Sequence, residues 1–226
     1  MTDDQHSTDA EDEAALRTEI DAELARERAE RRRAPARLQG AVLLIGGVLS
    51  WIAAVALMND KLFLLENPNA SLGCDVNPFV SCGTVMTTWQ AATFGVPNMV
   101  LGIAGYALMA AIGSLLLSRA ALPPWFRWAT LGGMAFAFLF LHFLAISAIF
   151  VIGALCPWCM VVWAATGPMF FVTLANLVED RLLRPGAVRA GILRHWVVLA
   201  AIWYLLVIVA IAIEFGMRFL TWFGLA

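Results

Sequence analysis

Two cysteines in the stretch LCPWCM, Cys156 and Cys159, have the spacing of a redox dithiol. If Pro157 begins a helix, Cys156 becomes its N-cap residue, and free backbone N–H groups and the positive end of the helix dipole point at its sulfur. That environment lowers the pKa of a thiol, and the thiolate is the nucleophile in thiol chemistry. Cys159 is expected on the same helix face, about 4.5 Å further along the axis. The alternatives are inert thiols or a permanent intrahelical disulfide, which would close almost no loop and stabilise little.

A second cysteine pair lies in CDVNPFVSC, where Cys74 and Cys82 have seven residues between them. The Asn77-Pro78 dipeptide favours a turn that would bring the two cysteines together. On its own such a loop is as compatible with a structural disulfide as with a reactive one. Four cysteines allow three connectivities, and the spacing alone does not choose among them. Zinc binding is disfavoured because no histidine accompanies either pair.

Two thiol pairs in one chain predict a relay, because thiol–disulfide exchange passes electrons through a mixed disulfide. The chain has four cysteines and so no third pair to receive those electrons. The terminal electron carrier is therefore expected to be a redox compound dissolved in the membrane, and a quinone is the simplest candidate.

The composition is that of a membrane protein. The chain has 226 residues, a hydrophobic fraction of 61% and a mean hydropathy of +0.78. Its charged fraction is 14%, against about 25% in soluble domains. Five apolar segments approach the ~20 residues that a transmembrane helix needs. They are predicted at residues 39–58, 97–117, 129–152, 157–178 and 196–215. The fold class predicted is an all-α integral membrane protein.

The distribution of Lys and Arg predicts the orientation. Thirteen of the fifteen basic residues lie in the N-terminal tail and in the loops after the second and fourth spans. The opposite side carries only Lys61 and Arg218. The positive-inside rule places the N-terminus in the cytoplasm and the C-terminus outside. All four cysteines then face the oxidising side, where disulfide chemistry is the default.

Three regions follow from this pattern. Residues 1–37 form a charged cytoplasmic tail. It could form a solvated helix, but its alternating charge favours a disordered or frayed tail. Residues 38–178 form a four-helix core with an external loop at 59–96. Residues 179–226 supply a cytoplasmic loop, the fifth span and a short external C-terminus. Gly46-Gly47 and Gly132-Gly133 are expected to allow close helix packing.

Beyond these patterns, the residues resemble the vitamin K epoxide reductase family. The resemblance rests on the Cys-x7-Cys loop with Asp75 after its first cysteine, the later Trp89, and the membrane-edge CPWCMVVW. It covers about residues 74–163, and the four-helix region is compatible with it. The resemblance implies a four-helix bundle around a quinone site, here with a fifth transmembrane helix. Bacterial members resemble partners of periplasmic thiol oxidases, which they reoxidise by reducing quinone.

The resemblance also implies roles for single residues. Cys74 resembles the cysteine that exchanges with a soluble partner, and Cys82 the one that passes electrons to Cys156. Cys159 resembles the cysteine beside the quinone ring. Asn98, in NMVLGIAGY, matches an Asn-x3-Gly-x3-Tyr pattern whose asparagine donates a hydrogen bond to the quinone, although it is equally compatible with a helix N-terminal residue.

Three further residues are candidates for quinone binding. Thr88 matches a hydroxyl position before Trp89, or it stabilises a turn. Trp163 stands where vertebrate members have a tyrosine that contacts the second quinone oxygen, so that contact is altered here. His142 lies in the middle of a span, where a polar residue is a functional candidate by default, although a histidine bonded to a neighbouring helix is also ordinary.

The resemblance predicts a thiol:quinone oxidoreductase in the plasma membrane. Many bacterial relatives carry a fused thioredoxin-like domain after the fifth span, whereas this sequence stops at Ala226. Its soluble partner is therefore expected to be a separate thioredoxin-like thiol oxidase. Two alternatives stay open: a vitamin K or naphthoquinone epoxide reductase proper, and a non-catalytic membrane scaffold with structural disulfides. A second bacterial family of quinone-linked thiol oxidases has the opposite order of cysteine pairs.

Overall fold

Five long helices make up most of the protein. The structure is a computed structural model that describes residues 3–120, 122–179, 182–183, 186, 191 and 193–222. The long helices are α1 (Asp3–Glu66), α3 (Asn98–Leu117), α4 (Pro124–Ile146), α5 (Pro157–Glu179) and α6 (Trp196–Trp222). Within the described residues, each contains a segment long and apolar enough to cross a membrane. The predicted all-α membrane fold with five spans is confirmed.

Short helical elements complete the end of the bundle that carries the cysteines. A five-residue helix, α2 (Cys82–Met86), and a 3₁₀ helix (Trp89–Ala92) lie between α1 and α3. α4 continues as a π-helical segment (Ser147–Ile152), which stops at Gly153 with a left-handed φ of 71°. Glycine adopts that conformation without the clash that a Cβ would cause. This arrangement sets the short connection that leads to Cys156.

The charged tail differs from its prediction. α1 begins at Asp3 and runs without a break into the first span, so the backbone of residues 3–37 is helical and the expectation of a disordered tail is wrong. Alanine, glutamate and arginine dominate this stretch and are among the strongest helix formers. The span that follows also removes the cost of nucleating a separate helix. At its other end α1 extends to Glu66, beyond the predicted limit of the span.

Glycine allows α1 and α3 to pack closely. A Cβ added at Gly47 would lie 2.7 Å from the backbone N of Ala110, and one added at Gly113 would lie 2.5 Å from the backbone N of Leu44. Any side chain at these positions would push the two helices apart. The packing predicted for Gly47 is therefore confirmed. Gly132 shows no such approach, since an added Cβ would meet nothing within 4 Å. The prediction for that glycine is wrong.

α5 is the central helix of the bundle, with the largest buried share of the five spans. It packs against α1, α4 and α6, while α1 also packs against α3. α6 lies outside this group of four and is the least buried span. The four-helix bundle with one additional span therefore matches the predicted architecture. Arg181, Arg184 and Arg189, on which the predicted orientation partly depends, lie outside the described residues, as does the C-terminus from 223 to 226.

Candidate redox site

Cys74 and Cys82 form a disulfide bond across a tight loop. The side chain of Asn77 shapes this loop, because its Oδ1 accepts hydrogen bonds from the backbone N–H groups of Phe79 (2.9 Å) and Val80 (2.8 Å). The turn predicted at Asn77-Pro78 is therefore present. It brings the Cα atoms of the two cysteines to 5.8 Å, within the usual range for a disulfide.

The carboxylate of Asp75 holds the loop against the start of α2. It accepts hydrogen bonds from the backbone N–H of Leu72 (2.9 Å) and of Gly83 (3.0 Å), and from the hydroxyl of Ser81 (2.8 Å). Burial raises the pKa of Asp75, but these donors together outweigh it and leave the pKa below its ordinary value. Hydrogen bonds to the charged form stabilise it, so the ionised carboxylate is the form that braces the loop.

Backbone hydrogen bonds join this loop to the segment before α5. The N–H of Ser81 donates to the carbonyl oxygen of Leu155 (2.9 Å), and the N–H of Leu155 donates to the carbonyl oxygen of Phe79 (2.8 Å). These two bonds place Cys82 next to Cys156, with a distance of 3.5 Å between their Sγ atoms. Both side chains are almost fully buried, with 0% and 1% exposure. One sulfur of the disulfide therefore touches a thiol of the other pair.

Cys156 and Cys159 are both free thiols. α5 begins at Pro157, and the backbone N–H of Cys159 donates to Sγ of Cys156 at 3.4 Å. This is the N-cap arrangement predicted from the sequence. A hydrogen bond from the Cys159 thiol lowers the pKa of Cys156; burial opposes it, and the backbone N–H groups of Cys159 and Trp158 add to the lowering. The pKa of Cys156 is therefore below that of an ordinary thiol.

The disulfide is asymmetric. Cys82 is buried, whereas Cys74 is partly exposed. Sγ of Cys74 lies 3.7 Å from Oδ2 of Asp60, near the end of α1. Cys74 is the cysteine of the pair that a molecule in the surrounding water can reach, and Cys82 is the one in contact with Cys156.

An apolar cavity of about 450 Å³ opens beside these cysteines. Ligand cavities commonly fall between about 300 and 1,000 Å³ and are mainly apolar with a few polar groups. Cys82, Cys156 and Cys159 all line it, and most of its remaining surface comes from apolar residues of α3 and α4. The cavity thus has the size and surface of a site for an apolar ligand, with two free thiols in its wall.

Two of the four predicted quinone-binding residues line the cavity, and two do not. Asn98 and Trp163 line the cavity, whereas Thr88 and His142 are not among its lining residues. The hydroxyl of Thr88 donates to the carbonyl oxygen of Val85 at 2.7 Å, which is the turn-stabilising role considered from the sequence.

His142 binds a neighbouring helix instead of the cavity. Its Nδ1 lies 2.6 Å from the carbonyl oxygen of Phe138, and its Nε2 accepts a hydrogen bond from the indole N–H of Trp203 at 2.8 Å. A carbonyl oxygen needs a donor, so Nδ1 carries the hydrogen and the ring is the neutral tautomer. Both nitrogens are therefore engaged: Nδ1 within α4, and Nε2 with Trp203 of α6.

Asn98 lines the cavity but uses its amide elsewhere. Its Nδ2 donates to the carbonyl oxygen of Gln90 (2.6 Å), and its Oδ1 accepts from the backbone N–H of Thr93 (3.2 Å). These bonds fasten the 3₁₀ helix to the start of α3. One N–H of Nδ2 remains for another acceptor, because a carboxamide nitrogen carries two hydrogens.

Gln90 is a polar residue of the cavity wall that the sequence analysis missed. Its side chain is 6% exposed, and its Oε1 has no hydrogen-bond partner among the described residues. A buried acceptor without a partner costs about 1–3 kcal/mol, and such groups are rare in native proteins. The sequence offered only its position next to Trp89, which does not reveal burial.

Taken together, the fold and the site define a membrane-embedded thiol–disulfide redox protein with an apolar ligand cavity. Comparison with protein families agrees with this class. The model of the vitamin K epoxide reductase family matches residues 41–174, and the chain belongs to that family. Its members carry out quinone-linked disulfide redox chemistry. No curated protein matches the chain.

Proposed function

We propose that this protein is a thiol:quinone oxidoreductase that reoxidises a separate, extracytoplasmic, thioredoxin-like thiol oxidase. Electrons enter at Cys74 and Cys82, move to Cys156 and Cys159, and leave by reducing a quinone to its hydroquinone. The observation that carries this proposal is the 3.5 Å contact between the sulfur atoms of Cys82 and Cys156. Through this contact the Cys74–Cys82 disulfide touches the Cys156/Cys159 dithiol, which lies in the wall of a cavity large enough for a quinone ring.

The relay begins with the dithiol of the soluble partner. One partner thiolate attacks Sγ of Cys74, and Cys82 leaves as a thiolate. The second partner thiol then attacks the partner's own sulfur in this mixed disulfide and releases Cys74. The partner leaves with a disulfide, and the protein holds two reduced thiols at Cys74 and Cys82. The greater exposure of Cys74 supports it as the residue attacked.

The second exchange needs the other pair to be oxidised. The thiolate of Cys82 attacks Sγ of Cys156 in a Cys156–Cys159 disulfide, and Cys159 leaves. Cys74 then attacks Cys82, which restores the Cys74–Cys82 disulfide and releases Cys156. This exchange transfers two electrons from the Cys74/Cys82 pair to the Cys156/Cys159 pair. Its product is the redox state of the described structure, with one disulfide and two free thiols.

The quinone removes these electrons. Oxidation of the two thiols of Cys156 and Cys159 to a disulfide releases two electrons and two protons, the number that converts a quinone into a hydroquinone. We assign Cys159 as the thiol that faces the ring, with Trp163 and the remaining N–H of Asn98 in the wall beside it. The lowered pKa of Cys156 supports it as the thiolate that closes the disulfide with Cys159 while the quinone takes the two electrons.

The basic residues support an orientation for this relay. With the N-terminus in the cytoplasm of a plasma membrane, all four cysteines face the extracytoplasmic side. The free thiols of Cys156 and Cys159 also favour a redox role over a scaffold, because a scaffold held by two structural disulfides would have no free cysteine in this region.

Trapping the interpair disulfide tests the relay. The double variant Cys74→Ala, Cys159→Ala removes both resolving thiols, and mild oxidation is expected to give a stable Cys82–Cys156 disulfide in most molecules. Peptide mass spectrometry under non-reducing conditions measures it. The control is Cys82→Ala, Cys159→Ala, which keeps Cys74 and removes Cys82, the cysteine whose Sγ lies 3.5 Å from that of Cys156. Equal trapping in both variants, or none in the first, would contradict the order of transfer.

A further inference from the structure

Gln90 is one of the residues that line the cavity, and its buried side chain carries a hydrogen-bond acceptor, Oε1, without a partner among the described residues. The residue lies in the 3₁₀ helix, and the side chain of Asn98 binds its backbone carbonyl oxygen at 2.6 Å. Its backbone is therefore held in place while its side-chain Oε1 has no partner among the described residues. Because the side chain is 6% exposed, bulk water does not compensate for this loss.

The chemistry of the missing partner is restricted by the acceptor. Oε1 of a glutamine needs a donor, and a cavity lined mainly by carbon and sulfur supplies few. An oxidised quinone carries only acceptor oxygens on its ring. A hydroquinone carries two hydroxyl groups, each of which donates a hydrogen bond. Among the two redox forms, the hydroquinone is the one that complements Gln90 Oε1.

We propose that Gln90 is a binding residue for the reduced ring, with its Oε1 accepting a hydrogen bond from one hydroxyl group of the hydroquinone. The inference rests on the proposed function and deepens it. The hydroxyl proton derives from the dithiol, since oxidation of Cys156 and Cys159 supplies two electrons and two protons to the quinone. Gln90 binds that product and does not exchange a proton or an electron itself.

Asn98 complements this role on the oxidised ring. Its Oδ1 already accepts from the N–H of Thr93, and its Nδ2 keeps one N–H after bonding Gln90, so Asn98 can offer the cavity an N–H donor. A donor suits the carbonyl oxygen of a quinone, and an acceptor suits the hydroxyl of a hydroquinone. Gln90 therefore sets the preference of the site between the two redox forms.

Binding of menadione and menadiol, a naphthoquinone and its hydroquinone, tests the proposal. The full-length chain is used with Cys159→Ser, which prevents a Cys156–Cys159 disulfide and therefore turnover. Gln90→Met keeps the length of the side chain and removes both polar atoms. It is expected to weaken menadiol binding about tenfold, equivalent to about 1.4 kcal/mol, and menadione binding less than threefold. Leu139→Met, at an exposed position of α4 outside the cavity wall, is the matched control and is expected to change neither.

A conservative variant separates binding from packing. Gln90→Glu, neutral when buried, keeps a carbonyl acceptor and is expected to retain menadiol binding within threefold of the parent. The melting temperature of ligand-free Gln90→Met is expected to be unchanged or raised, because no protein hydrogen bond is lost. A clearly lowered melting temperature would show that Oε1 has a partner without ligand, such as a fixed water, and would overturn the assignment.

The remaining outcomes separate this inference from the proposed function. If Gln90→Met changes menadiol and menadione binding equally or not at all, while the parent chain with all cysteines still reduces quinone, the assignment of Gln90 is wrong and the oxidoreductase proposal stands. If the parent chain neither binds either ring nor reduces quinone, both fail.

Discussion

At the scale of single residues, the reactivity of the site depends on the thiol of Cys156. Its Sγ lies 3.5 Å from Sγ of Cys82 and accepts a hydrogen bond from the backbone N–H of Cys159 at 3.4 Å. In the proposed relay, the same atom is an exchange partner for Cys82 and a member of the second pair. A lowered pKa suits both roles, because it makes Cys156 a better leaving group and a more available thiolate.

The pKa of Cys156 should depend on Cys159. In a Cys74→Ala, Cys82→Ala background, thiolate absorbance is expected to show a transition below the ordinary thiol value of about 8.5. Adding Cys159→Ala removes the hydrogen bond that lowers the pKa most, so the transition is expected to move to higher pH. Cys156→Ala in the same background identifies the signal. An unmoved transition would show that Cys159 does not set the pKa.

Asp75 should stabilise the disulfide loop in a pH-dependent manner. Its folded pKa is lowered, so its contribution is complete above the unfolded value of about 3.9 and is lost as the pH falls through the folded pKa. Asp75→Ala is expected to cost about 1–2 kcal/mol at pH 7, since three hydrogen bonds to a charged group are lost but the site is partly hydrated.

Thermal unfolding at several pH values measures this effect. The difference in melting temperature between the parent and Asp75→Ala is expected to shrink below about pH 3.9. Glu66→Ala, an exposed carboxylate at the end of α1, is the control and is expected to change little. A difference that is equally large at pH 3 and pH 7 would mean that the charge of Asp75 is not what stabilises the loop.

At the scale of elements, the fifth span does more than add a helix to the bundle. The ring of Phe215 on α6 is 1% exposed and packs edge-on against Phe79 of the disulfide loop, with 6.4 Å between ring centroids. The backbone carbonyl oxygen of Phe79 accepts a hydrogen bond from the N–H of Leu155, the residue immediately before Cys156. α6 therefore supports the contact between the two cysteine pairs from a position outside the family match at 41–174.

Removing this aromatic support should loosen the interpair contact. Phe215→Ala is expected to lower the free energy of unfolding by about 3 kcal/mol, typical of a large buried aromatic residue. It should also reduce the yield of the trapped Cys82–Cys156 disulfide, measured by mass spectrometry. Ile213→Ala, a 72% exposed residue of the same helix, is the control and should leave the yield unchanged. Full trapping in Phe215→Ala would contradict a supporting role for α6.

At the scale of the whole molecule, the sequence predicts the spans and the start of α5 well, because both depend on local patterns. Long apolar segments predict spanning helices, and the Cys-Pro dipeptide predicts the N-cap that the structure has at Cys156. The Asn77-Pro78 turn suggested the pairing of Cys74 with Cys82, whereas the link from Cys82 to Cys156 came from family resemblance. The prediction for the tail was wrong because a high charge content does not prevent a helix that continues from a stable span.

The sequence does not reveal contacts between residues that lie far apart in the chain. The contact between Cys82 and Cys156 requires the hydrogen bond from Ser81 to Leu155, across more than seventy residues. His142 resembled a quinone ligand because it lies in a span, but Trp203 of α6 binds it. The residue types of Gln90 and Asn98 do not reveal their roles. What an amide side chain can bind depends on which of its atoms already has a hydrogen-bond partner.

Quinone reduction by a dithiol tests the central claim most directly. Purified protein is mixed with dithiothreitol and a short-chain ubiquinone or menadione, and the fall in quinone absorbance is followed and corrected for the rate without protein. The native chain is expected to consume quinone, and Cys159→Ala is expected to reduce that rate at least a hundredfold, because the Cys156–Cys159 disulfide can no longer form. Comparable rates for both proteins, or no consumption of either quinone by the native chain, would contradict the account.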